Sequence, residues 1–285
     1  MFSEALDIGR VTLGEGHPAY ANRLNNLALV VEAQGRYPEA EGLFRQALDI
    51  GRVTIGEGHP AYATRLNNLA LVVDAQGRYA EAEGLFRQAL DIDRATIGEG
   101  HPAYAIHLNN LAGVVQAQGR YPEAEGLFRQ ALDIDRATLG EGHPSYATRL
   151  NNFALVVRAQ GRYPEAEGLY RQALDIDRVT LGEGHPAYAT RLNNLAGVVR
   201  AQGRYPEAED LYRQALDIDR ATLGEGHPEY AMHLGNLGSC LAAQGKHDEA
   251  RPLLTQALTI FRATLPADHP HITETLNRIA NLPTP

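Results

Sequence analysis

Apolar residues fall at Tyr20, Leu24, Leu27, Ala28 and Val31, a three-to-four-residue spacing that predicts a helix. Pro18 stands where that helix begins, because a first-turn residue needs no backbone N–H. Gly35 stands where it ends, at the left-handed position past a helix. A second apolar series follows at Ala40, Leu43, Phe44, Ala47, Leu48 and Ile50, opened by Pro38 and closed by Gly56 and Gly58. The segment therefore reads as a hairpin of two helices. The small residues Ala28, Ala40 and Ala47 let helices approach, while Leu27 and Phe44 fill the space between them. No alternating apolar–polar run of the kind a strand needs occurs anywhere.

The same pattern returns along the whole chain. His-Pro recurs at His17, His59, His101, His143, His185, His227 and His269, each 42 residues after the last (59 − 17 and so on). A fixed period of this length means stacked repeats rather than one globular core. The expected organisation is a single array over 1–285: a half repeat at 1–16, full repeats at 17–58, 59–100, 101–142, 143–184, 185–226 and 227–268, and a capping helix at 269–285. That makes fourteen helices: one, then six pairs, then one.

The spacing, with small residues at Ala28, Ala40 and Ala47 and large ones at Leu24, Leu27, Tyr37 and Phe44, resembles the tetratricopeptide repeat. The 42-residue length, the Leu-Asn-Asn-Leu-Ala string and the Gly-x-x-His-Pro linker are similar to the kinesin light chain subtype. The family tryptophan is missing, and Leu24 takes its place. The resemblance implies an all-α, right-handed superhelical solenoid whose first helices line a concave groove. It implies binding of a peptide or partner protein there. Members of the subtype are often attached to signalling domains, so a sensor or adaptor role in a larger protein is one expectation. The alternative is a structural module that self-assembles through complementary half-repeats at its two ends, giving weak head-to-tail association.

Laid out at roughly 100° per residue, the first helix places Asn22, Asn25, Leu29 and Glu32 on an arc away from the core. Stacking then aligns Asn25, Asn67, Asn109, Asn151 and Asn193 in one row. An asparagine carries two donors and an acceptor, which match the unpaired backbone of an extended peptide. An internal ladder of carboxamides is the other reading of this row. A second row, Asn26 to Asn236, reads as structural. The near-identity of the repeats makes the exceptions informative. One position runs Glu32, Asp74, Gln116, Arg158, Arg200 and Ala242, from acidic to basic. A polarised groove is one explanation and drift on a solvated face the other.

Charge and chemistry narrow the picture. The net charge of −9 disfavours a nucleic-acid binder. No apolar run reaches membrane-spanning length and no signal-peptide pattern opens the chain, so a cytoplasmic protein is expected. The single cysteine, Cys240, reads as a small core residue. The seven histidines lie a helix-hairpin layer apart, too far to share a metal, and read as helix-entry residues. Asp268, His269 and His271 make at best a weak metal site. His107 and His233 take positions held by arginine in other repeats and are expected at the surface. Tyr37, Tyr79, Tyr121, Tyr163 and Tyr205 read as turn-packing residues. No catalytic constellation, cofactor motif or metal set emerges, so no enzyme activity is expected. At the ends, residues 1–13 read as a helix without its partner, with Phe2, Leu6 and Val11 exposed. The chain is then expected to be the last piece of a longer protein, or to pair end to end with another copy.

Overall fold

The computed structural model describes residues 14–283, and the expectations for residues 1–13 lie outside them. The chain forms two compact units, Met1–Gly140 and Glu141–Pro285. In the first, the described helices are α1 (Pro18–Ala33), α2 (Tyr37–Thr54), α3 (Pro60–Ala75), α4 (Tyr79–Thr96), α5 (Pro102–Ala117) and α6 (Tyr121–Thr138). In the second they are α7 (Pro144–Ala159), α8 (Tyr163–Thr180), α9 (Pro186–Ala201), α10 (Tyr205–Thr222), α11 (Pro228–Ala243), α12 (His247–Thr264) and α13 (Pro270–Ala280). Among the described residues there is no strand, and the helices run as consecutive helix–turn–helix pairs.

The punctuation works as the sequence predicts, with one addition. The histidine before the proline that opens each first helix is held extended, as at His17 with φ −82° and ψ 137°. Its imidazole Nδ1 accepts the Ala19 backbone N–H at 3.1 Å, so the histidine is the helix N-cap. His59, His101, His143, His185, His227 and His269 do the same, which explains the recurring dipeptide. At the other end Gly35 takes φ +74°. Gly35 N–H donates to Glu32 and Arg36 N–H to Val31, the paired closure that needs a left-handed residue. The second helix starts at Tyr37, one residue before Pro38.

Packing follows the small residues. Ala28, Ala40 and Ala47 are fully buried, and Phe44 is 1% exposed beside them. Leu27 is half-buried, whereas its equivalents Leu69 and Leu111 are closed off from solvent.

Two sets of polar contacts stitch successive hairpins together, and the sequence reading anticipated neither. The first corrects the expectation for His107 and His233. Both are buried, at 4% and 0% exposure. His107 Nδ1 lies 2.7 Å from Asp93 and His233 Nδ1 lies 2.5 Å from Asp219. Arg65, Arg149 and Arg191 at the equivalent place are buried as well, Arg23 is half-buried, and Arg191 pairs with Asp177. This position faces the second helix of the preceding repeat, so a cation there is a core group matched to an aspartate. Burial pulls the His107 imidazole below its ordinary range, with Asp93 acting in the opposite direction. The second set lies at the turns. Glu41 pairs with Arg45 and Arg78, both at 2.7 Å, and Glu81 pairs with the same two arginines. Gln76 donates to Glu41 at 2.8 Å. The same closed square of charge joins Glu83, Arg87, Arg120 and Glu123, and again Glu167, Arg171, Arg204 and Glu207.

Candidate partner-binding face

The first helix of each hairpin carries the groove candidates. Its two asparagine rows turn out to be joined. Asn68 Nδ2 donates to Asn25 Oδ1 at 3.1 Å, and Asn110 Nδ2 donates to Asn67 Oδ1 at 2.8 Å. Within a repeat, Asn67 and Asn109 donate to their neighbours Asn68 and Asn110 at 3.4 and 3.3 Å. The second unit repeats this, with Asn194 donating to Asn151 and Asn236 to Asn193, both at 2.9 Å. Asn67, Asn151 and Asn193 are buried, while Asn25 and Asn109 are half-buried. The carboxamides thus form an internal ladder that satisfies itself. It fixes the register between hairpins and leaves less hydrogen-bonding capacity for a ligand than an open row would.

The charged positions behave differently. In the first unit Glu32, Asp74 and Gln116 are half-buried near the ends of α1, α3 and α5. Burial raises the carboxyl groups of both Glu32 and Asp74 above their ordinary range. Exposed Leu29 and Ile106 lie on the same helices. In the second unit Arg158 is exposed at the end of α7 and Arg200 half-buried at the end of α9. Neither arginine is ion-paired among the described residues, in contrast to the arginines of the turn squares. The helix dipole favours cations at these ends and disfavours Glu32 and Asp74.

Three residues of this face escaped the sequence reading. Tyr170 and Tyr212, on the second helices, are buried with their hydroxyls toward the arginine end. Arg278, on α13, lies against Gly235 of α11. The signal for the tyrosines was present. Phe44, Phe86 and Phe128 give way to Tyr170 and Tyr212 in the two repeats where the variable position becomes Arg158 and Arg200.

Nothing on this face resembles a reaction centre. No group of three or more His, Cys, Asp or Glu among the described residues is placed to hold a metal ion. His269 caps α13, and His271 stacks on Phe261 with ring centroids 5.3 Å apart. Cys240 is buried. No described helix is long and apolar enough to cross a membrane.

Stacked helix hairpins of this kind define a repeat scaffold, and the comparisons place the chain within it. Models of the tetratricopeptide repeat match residues 1–52, 24–95, 103–178, 150–221 and 187–263, and a second model of the same repeat matches 67–138. The chain belongs to the tetratricopeptide repeat family. Among solved structures it is similar to the nearly identical TPR-like repeats of a kinesin light chain-like protein from Podosopora anserina. Identity is 30% and the TM-score 0.61, over 72% of this chain and 98% of that one. A variant of that protein matches at 30% identity and TM-score 0.62, over 72% and 97% of the two chains. BtubC (BKLC) from P. vanneervenii shares the fold at 23% identity and TM-score 0.63, covering 89% of this chain and 92% of its own. A search of curated proteins finds no match. The family is a scaffold fold that generally mediates protein–protein interaction, and its members are typically non-enzymatic.

Proposed function

We infer that this chain is a non-enzymatic scaffold that binds segments of partner proteins on the face formed by the first helices of its hairpins. One observation carries the reading. Outside this face much of the charge is paired, in the turn squares and in the buried histidine–aspartate and arginine–aspartate contacts. On it, Glu32, Asp74, Arg158 and Arg200 have no ion-pair partner among the described residues, at a position that runs from acidic to basic along the repeats. Unpaired charge on a binding face is complementary to a partner's charge and speeds its association. The first unit favours basic and apolar segments beside Glu32, Asp74 and Leu29. The second favours acidic groups beside Arg158 and Arg200. The asparagine ladder supplies a rigid backing rather than the main ligand contacts.

The test is selection from a random peptide library on the wild-type chain and on R158E/R200E. The wild type enriches acidic segments and the variant loses them, with association slowing as salt rises. Identical selections on the two proteins would sink the reading.

A further inference from the structure

In the second unit, arginines from three first helices lie within electrostatic reach of one buried tyrosine. Tyr212 on α10 is 2% exposed. Burial raises its hydroxyl's pKa, against the charges of Arg200 on α9, Arg158 on α7 and Arg278 on α13. Two glycines leave bare backbone beside these groups. A Cβ built on Gly197 would lie 3.4 Å from Arg158 Nη1 and 3.6 Å from the Tyr212 hydroxyl. One built on Gly235 would lie 3.3 Å from Arg278 Nη1.

The other repeats lack this combination. Leu29, Leu71 and Leu155 occupy the place of Gly197, and the repeat that keeps a glycine there, Gly113, has Phe128 and Gln116 in place of the tyrosine and arginine; Phe44 and Phe86 likewise take the place of Tyr212. The phenylalanine repeats carry Glu32, Asp74 and Gln116 where the tyrosine repeats carry Arg158 and Arg200. Hydroxyl and guanidinium therefore change together, on two different helices of the hairpin.

Charge decides what fits. Arg278 is paired with Glu274 at 2.5 Å. Three arginines against that one carboxylate leave two positive charges uncompensated. The polar groups gathered here are almost all donors: three guanidinium forks and a phenol. A single carboxylate brings one charge and two oxygens. A phosphate monoester brings close to two charges and three strong acceptor oxygens, which suits several guanidinium groups at once.

We propose that Arg158, Arg200, Arg278 and Tyr212, around Gly197 and Gly235, form a binding site for a phosphate dianion, either a phosphomonoester or inorganic phosphate. The site rests on the partner-binding reading of this face and gives it a chemical class. Arg158 and Arg200 supply the charge, the Tyr212 hydroxyl donates a further hydrogen bond, and Gly197 leaves room for the anion's oxygens.

Calorimetry on the full chain with inorganic phosphate, a short phosphoserine peptide, the same peptide unphosphorylated, and acetate tests this. Phosphate and the phosphopeptide should bind saturably, with acetate and the unmodified peptide at least about tenfold weaker. R158A/R200A should lower the phosphate affinity by about tenfold or more, as should G197L, which fills the space without removing charge. Y212F should lower it several-fold, and R178A, on the paired Arg178–Asp175 contact, should leave it unchanged. A phosphopeptide that outbinds phosphate identifies a phosphorylated partner segment as the source, and equal affinities identify the free ion. Acetate binding as well as phosphate, or wild-type phosphate affinity in R158A/R200A and G197L, overturns the proposal. If acidic segments are still selected in a charge-dependent way in that case, only the dianion assignment fails and the partner-binding reading stands.

Discussion

Replacing Gly51 with Asp should stabilise the first unit. In later repeats the equivalent position carries an aspartate that meets a buried cation, as Asp177 meets Arg191. Here Gly51 faces Arg65, which is 6% exposed and lies across the space a side chain at 51 would take. Arg65 Nη2 donates to Asn22 Oδ1 at 2.8 Å, but Nη1 has no hydrogen-bond partner. Burial accordingly lowers the guanidinium pKa. The desolvation of Arg65 is already incurred in the native fold. An aspartate adds its own desolvation, several kcal/mol, against recovery of a pair whose loss costs about 3–5 kcal/mol. Its better helix propensity adds a few tenths of a kcal/mol. The net expectation is a gain of about 1–2 kcal/mol, with Arg65 swinging off the backbone to meet the carboxylate. Urea unfolding of wild type, G51D, R65M and the double variant gives the coupling energy directly. A coupling near zero, or a loss of stability in G51D with R65M neutral, would show that Arg65 is already content and that the reasoning fails.

Acid should weaken the contacts between hairpins. Burial tends to raise the Glu41 carboxyl, but hydrogen bonds from Gln76, Arg45 and Arg78 outweigh it and hold the group at about 2; Glu83 and Glu209 are held at about 2 in the same way. A depressed folded pKa contributes stability above the ordinary value of 4.5 that is lost as pH falls from there toward 2. The expected loss is on the order of 1–2 kcal/mol per square, smaller at high salt, and E41Q should flatten that part of the stability–pH curve. His101→Ala should remove an N-cap and cost about 1 kcal/mol, with His101→Asn recovering most of it in thermal unfolding. No recovery by Asn would mean that the imidazole acts through packing. Asn67→Ala should cost about 1–3 kcal/mol, since it strips partners from both Asn68 and Asn110; unchanged stability would remove the ladder from the account.

The helix pairs were legible because the residues that set them act locally. Proline, glycine and the apolar spacing define each hairpin without knowledge of its neighbours, and only the start at Tyr37 shifted by a residue. What was not legible depends on the register between repeats. The two asparagine rows were expected to run in parallel, one for ligand and one for structure. Asn68 instead reaches Asn25, 43 residues away, and this offset ties the rows together. His107 and His233 were expected at the surface because arginine occupies their place elsewhere. Their burial follows from Asp93 and Asp219 on the preceding hairpin, a partner that spacing within one repeat does not reveal. The role of the tyrosines is hidden for a similar reason. Phe-to-Tyr changes little within a hairpin, and its consequence appears only beside Arg158 and Arg200.

Amide chemical-shift mapping with an acidic segment selected on the wild-type chain tests the central claim most directly. The account predicts perturbations concentrated on the last turns of α7 and α9 and around Gly197, Gly235 and Arg278, absent in R158E/R200E. Perturbations centred on the turn squares at Glu167, Arg171 and Arg204, and insensitive to the arginine substitutions, would contradict it.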